Sequence, residues 1–447
     1  MPYIKTITAL EVLDSRGNPT IKVNIETESG AKGEAIVPSG ASTGKYEAKE
    51  LRDNDKDRYN GKGVLKAVNN VNNVIYNKLK GLDVTKQLEI DNALIELDGT
   101  KDKSSLGANA LLGVSLACAR CASSYLNIPL YRYIGGINTT LPLPMMNILN
   151  GGAHADFSID FQEIMIVPFA ASFKEALRIG DEIFFALGTI LKERGYSLSK
   201  GDEGGYAPLL SSNEEGIKLV LEAITKASYT PGKDVYLALD IASSELYNSK
   251  EKKYHLKKDN KTYSSLEFVN NFLSPLLEKY PLISLEDPLS DDDWEGWTYL
   301  HEIFANRVLL VGDDLFVTNV ERLKKGIENR AANAILIKPN QIGTLSETLQ
   351  TIRLAQKNGL TYIISHRSGD SEDTFIADLS VSTCASFIKT GSLSRSERVS
   401  KYNRLLSIEN EISSSVNYSA IELPSIDFVM VNHHSSGPSQ PNTATYL

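Results

Sequence analysis

Along its first forty residues the chain alternates apolar and polar positions, in ITALEVLDSRG, then TIKVNIETESG, then a return through AIVP. Successive side chains of an extended strand point to opposite faces, so this period of two predicts a small antiparallel meander. Helical spacing follows in GVLKAVNNVNNVIYNKLKG, in the segment after Val84, and from Ala108 to Leu126. Together they predict an α+β domain over residues 1–136, closing where Gly135 and Gly136 turn the chain into GGINTTLPLP.

Beyond that point the rhythm changes. Short apolar runs recur, each ending in a charged or polar residue and followed by a helical stretch: LALD to Asp240, LISLE to Glu286, LLVGD to Asp313, AILIK to Lys338, YIISH to His366 and FIK to Lys389. From Glu286 onward the steps are 27, 25, 28 and 23 residues, room for a strand, two short loops and a helix. Continuous apolar runs suit strands buried on both faces, as in parallel sheets. Repeated βα units predict an α/β fold, a TIM-type barrel over residues 137–423. The 46-residue step from Asp240 to Glu286 breaks the rhythm and holds SKEKKYHLKKDNKTYSS, which reads as a solvated excursion or hairpin. Residues 424–447, rich in Ser, Pro, Thr and Asn, read as a disordered tail.

Composition narrows the classes. The chain has 447 residues, 42% hydrophobic and 23% charged, an ordinary globular balance. A net charge of −9 argues against a nucleic-acid or anionic-membrane surface, which needs a basic face. It leaves room for a locally positive site holding an anion. The N-terminus lacks the basic and apolar regions of a signal peptide, and no apolar run is long enough to span a bilayer. These features, with three cysteines that form no disulfide framework, fit the cytoplasm. Cys118 and Cys121 form a lone C-x-x-C inside a helical stretch, so two thiols on one apolar helix face are expected rather than a metal or redox site.

The polar ends of the six runs are where barrel chemistry belongs. One polar strand end has a dull explanation in solvent; six in register do not. Asp240, Glu286 and Asp313 are carboxylates from adjacent strands, which repel one another unless a cation sits among them. Oxygen-only ligation suits Mg2+ better than zinc or copper. Separate rim salt bridges are the alternative, weakened by second acids in SLEDP and VGDDLF. Opposite them, Lys338, His366, Arg367, Ser368 and Lys389 form a wall suited to a phosphate or carboxylate. Glu203, flanked by glycines in GDEGGY, is expected between the walls, and the small-residue loop 38–47 reads as a lid or a plain turn. Cys384, five residues before Lys389, is expected near the site. Three other motifs fail: GASTGK is short for a phosphate loop, the Ser-Asp-Asn of penicillin-binding proteins is missing, and Arg58 replaces the glycine a calcium loop needs.

Taken in order, DSRGNPT, PSGASTG, NGGAHAD, QEIMIVP, GDEGGYAP, ALDIASSE, SLEDP, VGDDLFVTN, LIKPNQIGTLSETL, ISHRSGDSED and IKTGSLSRSERVSKYN resemble the enolase family, from about residue 3 to about residue 412. The resemblance implies an N-terminal α+β domain and a (β/α)8 TIM-type barrel whose first units are irregular. It implies dehydration of 2-phosphoglycerate to phosphoenolpyruvate with two Mg2+ ions. Asp240, Glu286 and Asp313 would hold the first ion, and Ser42 would reach the second from the lid. Lys338 would be the base, its pKa lowered by metal charge and Lys389. Glu203 would be the acid, with Glu163 raising its proton affinity. His154, Gln162, Arg367, Ser368 and Lys389 would surround the substrate, with His366 beside it. A homodimer or an octamer of dimers is implied in the same way. Departures from the family pattern fall at Phe157, Ser158, Ser382, Cys384, Ser386 and Phe387.

Two other readings use the same fold. Racemases and cycloisomerases of the superfamily share the barrel and the metal trio but lack the HRSG and KTGS segments. A binding protein, such as a surface receptor with a cell-surface partner, would not need an intact acid, base and metal set.

Overall fold

A computed structural model describes residues 1–41, 44–155 and 157–412. The meander forms as three antiparallel strands, β1 (Ile4–Leu13), β2 (Pro19–Thr27) and β3 (Lys32–Ile36). Ile21, Val23 and Ile25 on β2 are buried at alternate positions. That face packs on the helix Ala108–Leu126. Contact is close because β3 carries Gly33, where a Cβ would stand 2.3 Å from the carbonyl oxygen of Ala117. Cys118 and Cys121 lie buried in this helix as free thiols, and burial raises both, Cys121 to about 11. They are inert core residues.

The second part is a closed eight-stranded barrel. Its strands are β4 (Leu143–Asn150), β5 (Glu163–Pro168) and β6 (Val235–Asp240), then, after an inserted sheet, β10 (Leu282–Glu286), β11 (Leu309–Gly312), β12 (Ala334–Ile337), β13 (Thr361–Ser365) and β14 (Phe387–Lys389). All neighbours run parallel except at β5, which is antiparallel to both β4 and β6. The irregular start therefore has a physical form: β4 and β5 join directly, and two helices, Phe173–Glu193 and Asn213–Lys226, follow in succession before β6. Every residue of β4, β5, β10, β11, β12, β13 and β14 is buried, as strands covered by helices outside and side chains inside must be.

The insertion between β6 and β10 is a three-stranded antiparallel sheet of β7 (Tyr247–Asn248), β8 (Lys253–Leu256) and β9 (Lys261–Tyr263). Its lysines face outward, while Tyr254 and Leu256 are buried. Tyr254 stacks on Phe268 with ring centroids 4.7 Å apart and donates a hydrogen bond to Asp293. The charged excursion is thus a folded flap with an aromatic anchor. Cys384 precedes β14 at the end of the barrel away from Lys389, which corrects the expectation that it lies near the site. No helix among the described residues is long and apolar enough to cross a membrane. The tail 424–447 lies outside the described residues.

Candidate active site

The mouth of the barrel collects the polar strand ends. Asp240, Glu286 and Lys389 are the last residues of β6, β10 and β14, and Asp313, Lys338 and His366 immediately follow β11, β12 and β13. Strand β5 runs the other way, so its first residue reaches the mouth. Glu163 pairs with Asp240 on one side and with Asn150 on the other. One pocket is lined by His154, Gln162, Glu163, Glu203, Asp313, Lys338, His366, Arg367, Ser368 and Lys389. Asp240 and Glu286 lie beside it, bonded to Lys389. Ser42 lies outside the described residues.

Lys389 organises the acidic side. Its ammonium stands 3.0 Å from Glu163, 3.1 Å from Asp240 and 2.7 Å from Glu286. Burial works to neutralise it, but the three carboxylates hold its pKa well above the ordinary lysine value. Gln162 donates to the Asp240 Oδ2 atom at 3.1 Å. Glu286 remains costly: one oxygen, Oε1, is buried without a hydrogen-bond partner, and burial with Asp240 alongside pushes its pKa well up.

The next strand pair carries a second acidic group. One oxygen each of Asp287, Asp313 and Asp314 lie within 4.8 Å of one another. Asp287, at φ 40°, turns its carboxylate to accept from the backbone N–H groups of Asp313 and Asp314, at 2.9 and 2.8 Å. Burial and the Asp313 charge push Asp314 up to about 8. Burial works to raise Asp313 too, but the Lys338 ammonium, which donates to it, wins and the net direction is down. Gln341 adds a bond to Asp313 at 2.9 Å. A cluster of oxygen donors, some orphaned and several pushed toward protonation, is chemically fit for a hard divalent cation. The structure groups Asp313 with Asp287 and Asp314, while Asp240 and Glu286 are tied to Lys389.

At Lys338 the neighbouring Lys389 acts to lower the pKa, in the expected direction, and the net balance is that of the protein groups alone. Burial, with Arg367 and Lys389, acts to lower the Lys338 pKa, yet the carboxylates around it, Asp313 first and Glu286 after it, turn the net direction up. The carboxylate pair is reversed from the sequence expectation. Glu163 and Glu203 approach within 4.8 Å, together with His154. Burial and the Glu203 charge push Glu163 well up. Burial also works to raise Glu203, but the His366 and His154 rings at 3.2 and 3.6 Å, with Lys389, pull the other way and the net direction is down. Asn147 donates to the second Glu203 oxygen at 2.8 Å. The two carboxylates are thus pushed in opposite directions, Glu163 toward its protonated form and Glu203 toward its ionised form.

On the basic side, Arg367 is buried and forked onto Glu47, at 3.0 and 3.1 Å, with Asn340 accepting a third bond. The segment carrying Glu47 is docked around it. Ser39 and Gly369 exchange backbone bonds at 2.7 and 2.9 Å, and the Ala41 N–H donates to the Ser368 hydroxyl at 2.6 Å. Farther along, Lys45 and Tyr46 both reach Asp292.

Several residues here escaped the sequence reading. Glu47, Asn147, Gln341 and Arg398 each contact a candidate site residue and sit at no strand end. Arg398 belongs to the segment IKTGSLSRSERVSKYN, which carries part of the family resemblance without a role for this arginine. Asp287 and Asp314 were visible only as second acids.

Comparison with known families agrees with this architecture. Residues 4–134 match the family described as "Enolase, N-terminal domain", and residues 138–425 match "Enolase, C-terminal TIM barrel domain". Those two matches cover both folded parts, the barrel with its one reversed strand and the polar mouth it builds, and the chain belongs to the enolase family.

Proposed function

We propose that the chain is a hydro-lyase converting 2-phosphoglycerate to phosphoenolpyruvate, with Mg2+ as its metal. The observation that carries this reading is that Lys338 and the Glu163–Glu203 pair line one pocket beside Arg367, Ser368 and Lys389. Dehydration needs a base for the weakly acidic α-hydrogen, an acid for the departing hydroxide, and cations for a phosphate and a carboxylate.

Each requirement has a residue. Lys338 is the base; the one partner that most strongly keeps it protonated is Asp313, against burial, Arg367 and Lys389. Mg2+ on Asp240, Glu286 and Asp313 would supply positive charge for the substrate carboxylate and draw the Asp313 charge away from Lys338. A lysine base working beside magnesium is an established pairing in this superfamily, so its assignment to Lys338 follows the family as well as the geometry. Glu203 is the acid, and Glu163, pushed toward its protonated form, is the neighbour from which it would draw a proton. Arg367, freed from Glu47, and the Ser368 hydroxyl bind phosphate, with the fork geometry suited to its oxygens. His154 and Gln162 position Glu163, Glu203 and Asp240.

A cytoplasmic homo-oligomer goes with this reading. Racemases of the superfamily need no phosphate clamp, and the buried Arg367 beside Ser368 favours the dehydratase. The test is the absorbance of phosphoenolpyruvate formed from 2-phosphoglycerate. Turnover should vanish in excess chelator and return with Mg2+; full turnover in chelator would sink the metal assignment.

A further inference from the structure

Behind the pocket, Arg398 is fully buried on the helix Ser396–Ile412. One guanidinium nitrogen, Nη1, lies 2.6 Å from His366 Nδ1 and donates to the Arg367 carbonyl at 2.5 Å. The other, Nη2, donates to the carbonyls of Ser368 at 2.6 Å and Asp202 at 3.2 Å. A guanidinium has only donors and does not lose its proton in proteins. His366 Nδ1 must therefore be the acceptor, with its lone pair toward Arg398. The ring cannot be an imidazolium, and its single hydrogen must lie on Nε2.

That hydrogen points to the reaction side. Nε2 stands 3.2 Å from Glu203 Oε1, off the line of a well-formed hydrogen bond, and His366 lines the pocket. The ring is buried, and Gly391 leaves room beside it. A Cβ at Gly391, which sits at φ +84°, would stand 2.7 Å from Arg398 Cδ and 3.0 Å from His366 Cε1. Burial and the Arg398 charge also hold His366 down to about 4.

We infer that Arg398 is a positioning residue that fixes His366 as the neutral Nε2–H tautomer, so that the ring presents a donor to the pocket beside Glu203 and does not take up a proton during turnover. This inference rests on the proposed dehydratase reading only for its effect on rate. The tautomer itself is read without turnover.

The experiment is long-range proton–nitrogen correlation NMR on protein carrying 15N-labelled histidine, with His366 assigned by its loss in His366→Gln. The unaltered protein should give an unprotonated Nδ1 and a protonated Nε2 for His366 at neutral pH. Protonation on Nδ1, or an imidazolium signature, overturns the inference and needs no variant. In Arg398→Met the His366 signals should move toward mixed tautomers, and kcat for 2-phosphoglycerate should fall by about 100-fold with KM changed by less than about threefold. Unchanged His366 signals in that variant, or altered signals with unchanged kcat, also overturn it. Should Arg398→Met not fold, Gly391→Ala presses on the same two side chains and should shift the same signals; an unmoved spectrum there counts against the inference. Absence of any 2-phosphoglycerate turnover in the unaltered protein would defeat the dehydratase reading and leave the tautomer assignment standing.

Discussion

Two lysines stand at the barrel mouth, Lys389 fully buried and Lys338 nearly so, and they are held in opposite electrostatic situations. Lys389 has three carboxylates within 3.1 Å. Lys338 has one, Asp313, and two cationic neighbours, Arg367 and Lys389, that push the other way. Burial alone drives a lysine toward its neutral form. Lys389 escapes that by surplus, whereas Lys338 depends on a single bonded partner. The residue type therefore says little about role; the count of anions around each ammonium separates a fixed charge from a group able to give up its proton.

The widest separation should come from removing Lys338. Lys338→Ala should lower dehydration by about 10³-fold or more and also stop exchange of the α-hydrogen with D₂O. The mass of 2-phosphoglycerate recovered from D₂O reads the exchange directly, and persistent exchange in this variant would move the base elsewhere.

Glu203→Gln tests the far side of the same pocket. Dehydration should fall by about 10²–10⁴-fold while exchange continues, because the acid is needed only for hydroxide departure. Loss of both activities would place Glu203 in the first step and blur the division between the two sides.

Stability probes the other lysine. In metal-free protein, Lys389→Met leaves three buried carboxylates without their cation and should cost about 3–5 kcal/mol in urea unfolding. Lys338→Met should cost less, since Asp313 keeps its bond from Gln341. Equal losses in the two variants would break the comparison.

The smallest expected effect concerns His366. Its folded value of about 4 lies below the ordinary 6.5, so the unfolded chain binds a proton first as pH falls. Its contribution to stability is lost between roughly pH 6.5 and 4, by at most about 3 kcal/mol. Subtracting His366→Gln from the parent in urea titrations isolates it. A difference flat across that window would show that the ring is charged in the folded state.

How much of this was legible depended on where each residue sits along the chain. The six apolar runs announced their own mouths, because a buried parallel strand reads as a continuous apolar word and its final polar residue lands at the site. Glu163 broke that grammar: it begins its strand, and only the reversal of β5 carries it to the mouth. No local pattern encodes a strand's direction, so Glu163 and Gln162 were reached through family resemblance alone. Electrostatics was less legible still. The expected rise at Glu203 ran the other way, and at Lys338 the pull of Asp313 was not foreseen, because these groups meet partners drawn from distant segments. Arg398 shows the same limit, since its partners are a histidine side chain and three backbone carbonyls that no spacing rule connects.

The seam that closes the barrel joins its first strand to its last, with Met145 set against Lys389. Closing a longer loop adds only about 0.6 kcal/mol of lost chain entropy for each doubling of its length, so the finished fold tolerates the arrangement. The kinetics of reaching it are another matter, because contacts between remote segments slow the search. Lys389, the cation that satisfies Glu163, Asp240 and Glu286, is the last of these groups to leave the ribosome. Until it arrives, the nascent chain carries three carboxylates destined for burial without the lysine that meets them, so the mouth is among the final parts of the molecule to set.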